Sequence, residues 1–137
     1  MTSRSLHTAL IALVTLIAAG AAPLDAHHSF AAEFDANKPI TLKGVVTQID
    51  WANPHVWFYI NVKDEDGRMV RWACEMGAPH QLQQRGWLRE TMKIGDVVTV
   101  MGSLSRDGAK RANARLVTTA DGKTLGAASS GDPSTRQ

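Results

Sequence analysis

The 137-residue chain is 44% hydrophobic and 20% charged, with a formal net charge of +2 and a pI near 8.9. That composition suits one globular domain and leaves no room for two, and the scattered Lys and Arg argue against nucleic acid as a partner. One cysteine, Cys74, excludes an intrachain disulfide, so the core must hold the fold together.

The first 26 residues read as a secretory signal. Arg4 supplies the positive amino-terminal region, and ALIALVTLIAAGAA, Ala9 to Ala22, is an apolar run too short for a comfortable membrane span. Cleavage after Ala26 has Leu24 where a small residue is usual, whereas cleavage after Ala21 leaves Pro23 close beyond the cut, so the site stays open between them. An uncleaved anchor is the alternative. The signal reading implies a periplasmic or secreted protein with no membrane span once the signal is removed.

Residues 27–40 form an amino-terminal segment in which Phe30 and Phe34, four apart, give SFAAEF an apolar stripe able to dock on a domain. Strand patterning begins at Thr41. TLKGVVTQID, Thr41 to Asp50, is β-branched and carries Gly44, the mark of a bulge or bend. After the Asn53-Pro54 turn, HVWFYINV alternates. Val56, Phe58, Ile60 and Val62 are expected in the core, and His55, Trp57, Tyr59 and Asn61 on the other face. The DEDG turn leads into RMVRWACEM, where Val70, Trp72, Cys74 and Met76 share one face and Met69, Arg71, Ala73 and Glu75 the other.

The period then changes. Pro79 suits a helix start and Gly86 a helix stop, predicting about two turns over Pro79 to Arg85. Strands resume in KIGDVVTVMGSL and in ANARLVTT, and the Gly-, Ser- and Ala-rich stretch 121–137 reads as a flexible tail. Five strands with a short helix between the third and fourth is the order of a small OB-like Greek-key barrel, occupying residues 41–120. A small open sandwich fits the same order.

On the barrel reading, the outward face of strands two and three carries His55, Trp57, Tyr59, Arg71 and Glu75. Two aromatic rings beside a charge of each sign suit a small ligand, and Trp57, Tyr59, Arg71 and Glu75 are the candidate ligand-binding residues. Cross-strand pairing of the same rings is the competing explanation. His27 and His28 suggest different chemistry. Cleavage after Ala26 would free an α-amino group beside an imidazole, and cleavage one residue earlier would give Ala-His-His; both are nitrogen donor sets that favour copper among divalent first-row metals. His55, after the Asn53-Pro54 turn, completes the candidate metal set, with His80 as an alternative. No phosphate loop, HExxH or dinucleotide fingerprint is present, and Asp64, Glu65 and Asp66 read as a solvated turn, so no enzyme is expected.

The motifs AHHSFAAEFD (26–35), GVVTQIDWANPHVW (44–57), Trp72-x-x-Glu75, RGW (85–87) and KIGDVV (93–98) resemble a family of small exported bacterial proteins catalogued as a domain of unknown function. The resemblance implies an exported, periplasmic single β-domain whose mature chain begins close to His27, and it carries no activity. Ile94 stands where a turn proline is expected. Two functions remain in play: a non-catalytic binding domain for a divalent transition metal, copper first, and an envelope interaction module that takes a protein, glycan or small organic ligand on its aromatic face.

Overall fold

The computed structural model describes residues 30–131. The chain runs α1 (Phe30–Glu33), β1 (Phe34–Asp50), β2 (Trp57–Lys63), β3 (Met69–Glu75), α2 (Pro79–Gln84), β4 (Val97–Ser105), β5 (Arg111–Thr118) and β6 (Thr124–Gly126). Neighbouring strands pair in the order β3-β2-β1-β4-β5-β6, and β3 also pairs with β5 in parallel. That extra pairing closes β1, β2, β3, β5 and β4 into a ring, the strand order of the expected OB-like barrel. The helix lies between the third and fourth strands, as its Pro79 and Gly86 signals require.

One long strand makes the closure possible. β1 pairs with β4 through its first part and with β2 through its last, and Gly44 and Val45 pair on both edges at once. A Cβ at Gly44 would fall 2.5 Å from the Asn61 carbonyl oxygen, so a residue without one lets the strand bend against β2. An extra residue at Thr47 adds a bulge to the same turn of the sheet.

Alternation fills the interior. Val56, Phe58, Ile60, Trp72, Cys74 and Met76 are buried as their spacing predicts, whereas Val62 and Val70, near the β2–β3 hairpin, are only partly covered. Leu82 from α2, with Trp87 and Met92 from the segment after it, is buried in the same core as the strand residues. Trp87 is fully buried, and its indole N–H donates to the Gly126 carbonyl at 2.9 Å, so that burying the ring strands no polar group. α2 starts at Pro79, where a missing N–H costs nothing, and the Gln81 side chain accepts from the Ala78 N–H at 3.2 Å.

The structure departs from the sequence expectation at both ends of the domain. β1 begins at Phe34, seven residues before Thr41, since Phe34 and Asp35 pair with Ser105 and Leu104 across a break that skips Ala36 to Lys38. The expected flexible tail is also corrected over its first half. Thr124–Gly126 forms a sixth strand on β5, and Leu125, Ala127, Ala128 and Ser129 are buried. Small residues permit this. The Gly77 N–H donates to the Ala127 carbonyl at 2.8 Å, and any Cβ on Gly77 would collide with the Ala128 carbonyl. Residues 132–137 and the expected signal, 1–26, lie outside the described residues.

Candidate functional site

Glu75 ends β3 with its side chain on the outer face of the barrel, opposite Trp57 in β2 and beside Asn113 in β5. Outward on a barrel usually means solvated, and the sequence reading placed Glu75 on an exposed ligand-binding face. Here it means buried: Glu75 is 6% exposed. The cover comes from the first and last described segments, residues 30–34 and 129–131. α1 is tied down by the Arg106 N–H to the Glu33 carbonyl at 2.9 Å, the Arg106 guanidinium to the Ala31 carbonyl at 2.8 Å, and the Arg111–Glu33 ion pair at 3.7 Å. Phe30 and Phe34 stack with centroids 6.0 Å apart, as their spacing allows, and Phe34 is buried. From the other end, Ser129 and Gly131 come in beneath Phe30. A Cβ at Gly131 would fall 2.5 Å from that ring and 2.7 Å from the Asn113 side-chain oxygen.

Beneath this cover runs a chain of polar contacts. The Ser129 hydroxyl donates to the Asn113 side-chain oxygen at 2.7 Å, the Asn113 amide donates to Glu75 Oε2 at 3.4 Å, and Glu75 Oε1 pairs with His55 Nδ1. Ser129, Asn113 and Glu75 are buried; the His55 side chain, at 27% exposure, is the end of the chain that meets solvent. Burial pushes the Glu75 carboxyl above its ordinary value, and the Glu33 charge adds to this, while His55 and the Asn113 amide act in the opposite direction. Ser103 extends the row across β4, paired in register with Asn113, and its buried hydroxyl has no hydrogen-bond partner among the described residues.

A carboxylate on Nδ1 fixes the orientation and tautomer of an imidazole and leaves Nε2 to face a ligand. His55 and Glu75 therefore act as one unit, with Glu75 behind the ring. Of the other candidate residues, Tyr59 and Arg71 do meet. The Arg71 guanidinium lies 4.5 Å from the Tyr59 ring centroid and donates to Gln48 at 2.7 Å, and Gln48 in turn donates to Asp50 at 2.9 Å. Trp57 is half-buried beside them in β2. His80 is exposed on α2, and His27 and His28 lie outside the described residues. Among the described residues, no group of three or more His, Cys, Asp or Glu side chains is placed to hold a metal ion, and no helix is long and apolar enough to cross a membrane.

Sequence reasoning missed Asn113 and Ser129. Asn113 stands between two alanines in a strand otherwise rich in apolar residues, the one signal of a polar group inside packed structure. Ser129 carried none, for it lay in the stretch read as tail.

The fold defines the class, a small OB-like barrel, here with an acidic residue of the third strand buried on its outer face. The chain belongs to the family of unknown function DUF6152, whose model matches residues 14–114. No curated protein matches the chain.

Proposed function

We propose that this protein is an exported, non-catalytic binding domain that takes a divalent transition metal, copper first, on His55 together with His27 and His28. The observation that carries the reading is the His55–Glu75 pair, with Glu75 buffered by Asn113 and Ser129. An imidazole held by a carboxylate is the usual arrangement of a metal-binding histidine, and it assigns Glu75 to orienting the ligand and not to binding the ion. The position of α1 adds support. Phe30 packs at the Asn113 end of the polar chain, and His28 and His27 precede it by two and three residues, a reach of roughly 7–10 Å in extended chain. All three donors are nitrogens, the set for which copper ranks highest among divalent first-row ions.

The aromatic-face alternative, an envelope module binding a protein, glycan or small organic ligand, has less support. Arg71 covers Tyr59 and is itself bonded to Gln48, so these side chains satisfy one another across β1, β2 and β3.

Calorimetric titration of Cu(II) into the mature protein, its amino terminus confirmed by intact mass, separates the two. The metal reading requires one tight site that is lost in the His27→Ala/His28→Ala variant, weakened about 10–100-fold by Glu75→Gln, and unchanged by Trp57→Ala. Weak multiple binding, or equal affinity in the histidine variant, would reject it.

A further inference from the structure

The helix that lies over Glu75 cannot hold itself there. α1 is a single turn, and none of its four residues is buried. A helix that short is unstable in water, because its few internal hydrogen bonds do not offset the ordering of its backbone. Nor is it carried on a continuous strand. Phe34 and Asp35 pair with β4, but pairing then stops until Pro39, so α1 hangs on a two-residue piece of sheet. What seats it must come from its surroundings.

Arg106, in the β4–β5 turn, meets that need at three points. Its main-chain N–H donates to the Glu33 carbonyl at 2.9 Å, its Nε donates to the Ala31 carbonyl at 2.8 Å, and its guanidinium stands 3.7 Å from the Asp35 carboxylate. One residue thus spans the join between α1 and β1. A guanidinium suits this position better than an ammonium, since its planar fork serves a carbonyl and a carboxylate at once. Arg111 adds a second tie, 3.7 Å from Glu33, but it also donates to Asp107 at 2.7 Å. Both ends of α1 bear on the polar chain: Phe30 lies against Gly131 beside Asn113, and the Glu33 charge acts on Glu75.

We propose that Arg106 is a positioning residue for the site at His55: by seating α1 it keeps Glu75 covered, and so holds the His55 ring in one orientation with Nε2 free. Arg106 acts through α1 and Glu75. Were α1 released, water would reach the Glu75 carboxyl, and a hydrated carboxyl holds an imidazole less firmly than a dry one. The effect of Arg106 on copper rests on the metal reading above, whereas its effect on the ring does not.

The test compares Arg106→Gln with the native mature protein. The substitution keeps the main-chain bond and removes a side chain that is 48% exposed, so the barrel is expected to stay folded. Nitrogen chemical shifts of the His55 ring, assigned by their absence in His55→Ala, are read first without copper and at one fixed pH. The native ring should show a single tautomer with its proton on Nδ1, and Arg106→Gln a mixture of the two, with faster amide exchange in residues 31–34. Cu(II) affinity should then fall about threefold to tenfold, less than for Glu75→Gln because Arg106 acts from farther out. Arg68→Gln is the control: that arginine pairs with Asp64 and Asp66 in the β2–β3 turn, and its loss should change neither signal. Unchanged ring shifts in Arg106→Gln, or the same change in Arg68→Gln, would overturn the proposal, as would unaltered copper affinity beside a tight native site. If the native protein has no tight site, the metal reading fails, and the ring shifts alone decide whether Arg106 positions His55.

Discussion

Asn113 is the residue on which the buried polar chain depends, because its amide faces Glu75 and its oxygen faces Ser129. Asn113→Ala would leave a carboxylate and a hydroxyl in the interior without those partners. A loss of about 2 kcal/mol in urea unfolding is expected. Glu75 gives a pH signature of known sign. Since burial holds its folded-state value above the ordinary 4.5, the folded protein binds the extra proton, and the contribution to stability is full below 4.5 and lost as pH rises through the raised value. Unfolding midpoints of the native protein and of Glu75→Gln, measured from pH 4.5 to 8, should therefore converge or cross in favour of the native protein toward acid; a constant difference would show that Glu75 carries no such shift. At the exposed β4–β5 turn the sign reverses. Hydrogen bonds from the Ser105 hydroxyl and the Ala109 N–H, with Arg111 alongside, hold Asp107 down to about 2, and Ser105→Ala should move its midpoint in a carboxyl-shift titration up toward 3.8. At this scale the sequence was partly legible. It identified His55 and Glu75 as sharing a face, since both fall on one parity of their strands, but parity says which way a side chain points and not what lies over it. The cover on Glu75 comes from residues some 45 positions before it and 55 after it in the chain, beyond what local spacing can encode.

Among the elements, the five strands of the ring and the short helix are the ones the sequence located. β2 and β3 keep their two-residue period through the middle, losing it where Val62 and Val70 are only partly covered and where Glu75 is buried, and α2 lies between its Pro79 and Gly86 signals. β5 obscures its own pattern: between Met101 and Gly102 the register skips Arg115, so Ala112 and Ala114 face inward and then Val117, not Leu116, does. A bulge of this kind reverses parity midway, so the strand is visible in ANARLVTT but its inward set is not. β6 was hidden altogether. Gly, Ala and Ser look like linker composition, yet here they are small because Gly77 and Ala128 bring two backbones together. Gly77→Ala therefore tests whether the segment is packed structure or tail. Its new Cβ meets backbone and not a yielding side chain, and a loss of about 1–3 kcal/mol is expected; an unchanged melting temperature would mean that the segment does not dock.

Over the whole molecule, the closed ring surrounds one core, with the His55–Glu75 pair on its outer face, and that core isolates Cys74. Burial pushes its thiol up to about 12, so a maleimide reagent should label it only after unfolding, and labelling of the folded protein would mean that the barrel opens at β3–β5. Strand number, helix position and turn chemistry narrowed the topology to an OB-like barrel or a small open sandwich, and the parallel β3–β5 pairing, which no local spacing encodes, makes it the barrel. Its chemistry was less legible, since the polar chain is assembled from β3, β5, the β1–β2 connection and the carboxyl-terminal segment. The central claim is that His55, oriented by Glu75, presents its free nitrogen to a metal shared with the amino-terminal histidines. Its most direct test is the electron-spin-echo spectrum of the Cu(II)-loaded mature protein, which counts coordinated imidazoles, compared with that of His55→Ala. Loss of one imidazole from the count in the variant is the predicted result; an identical spectrum with the same number of imidazoles would contradict it.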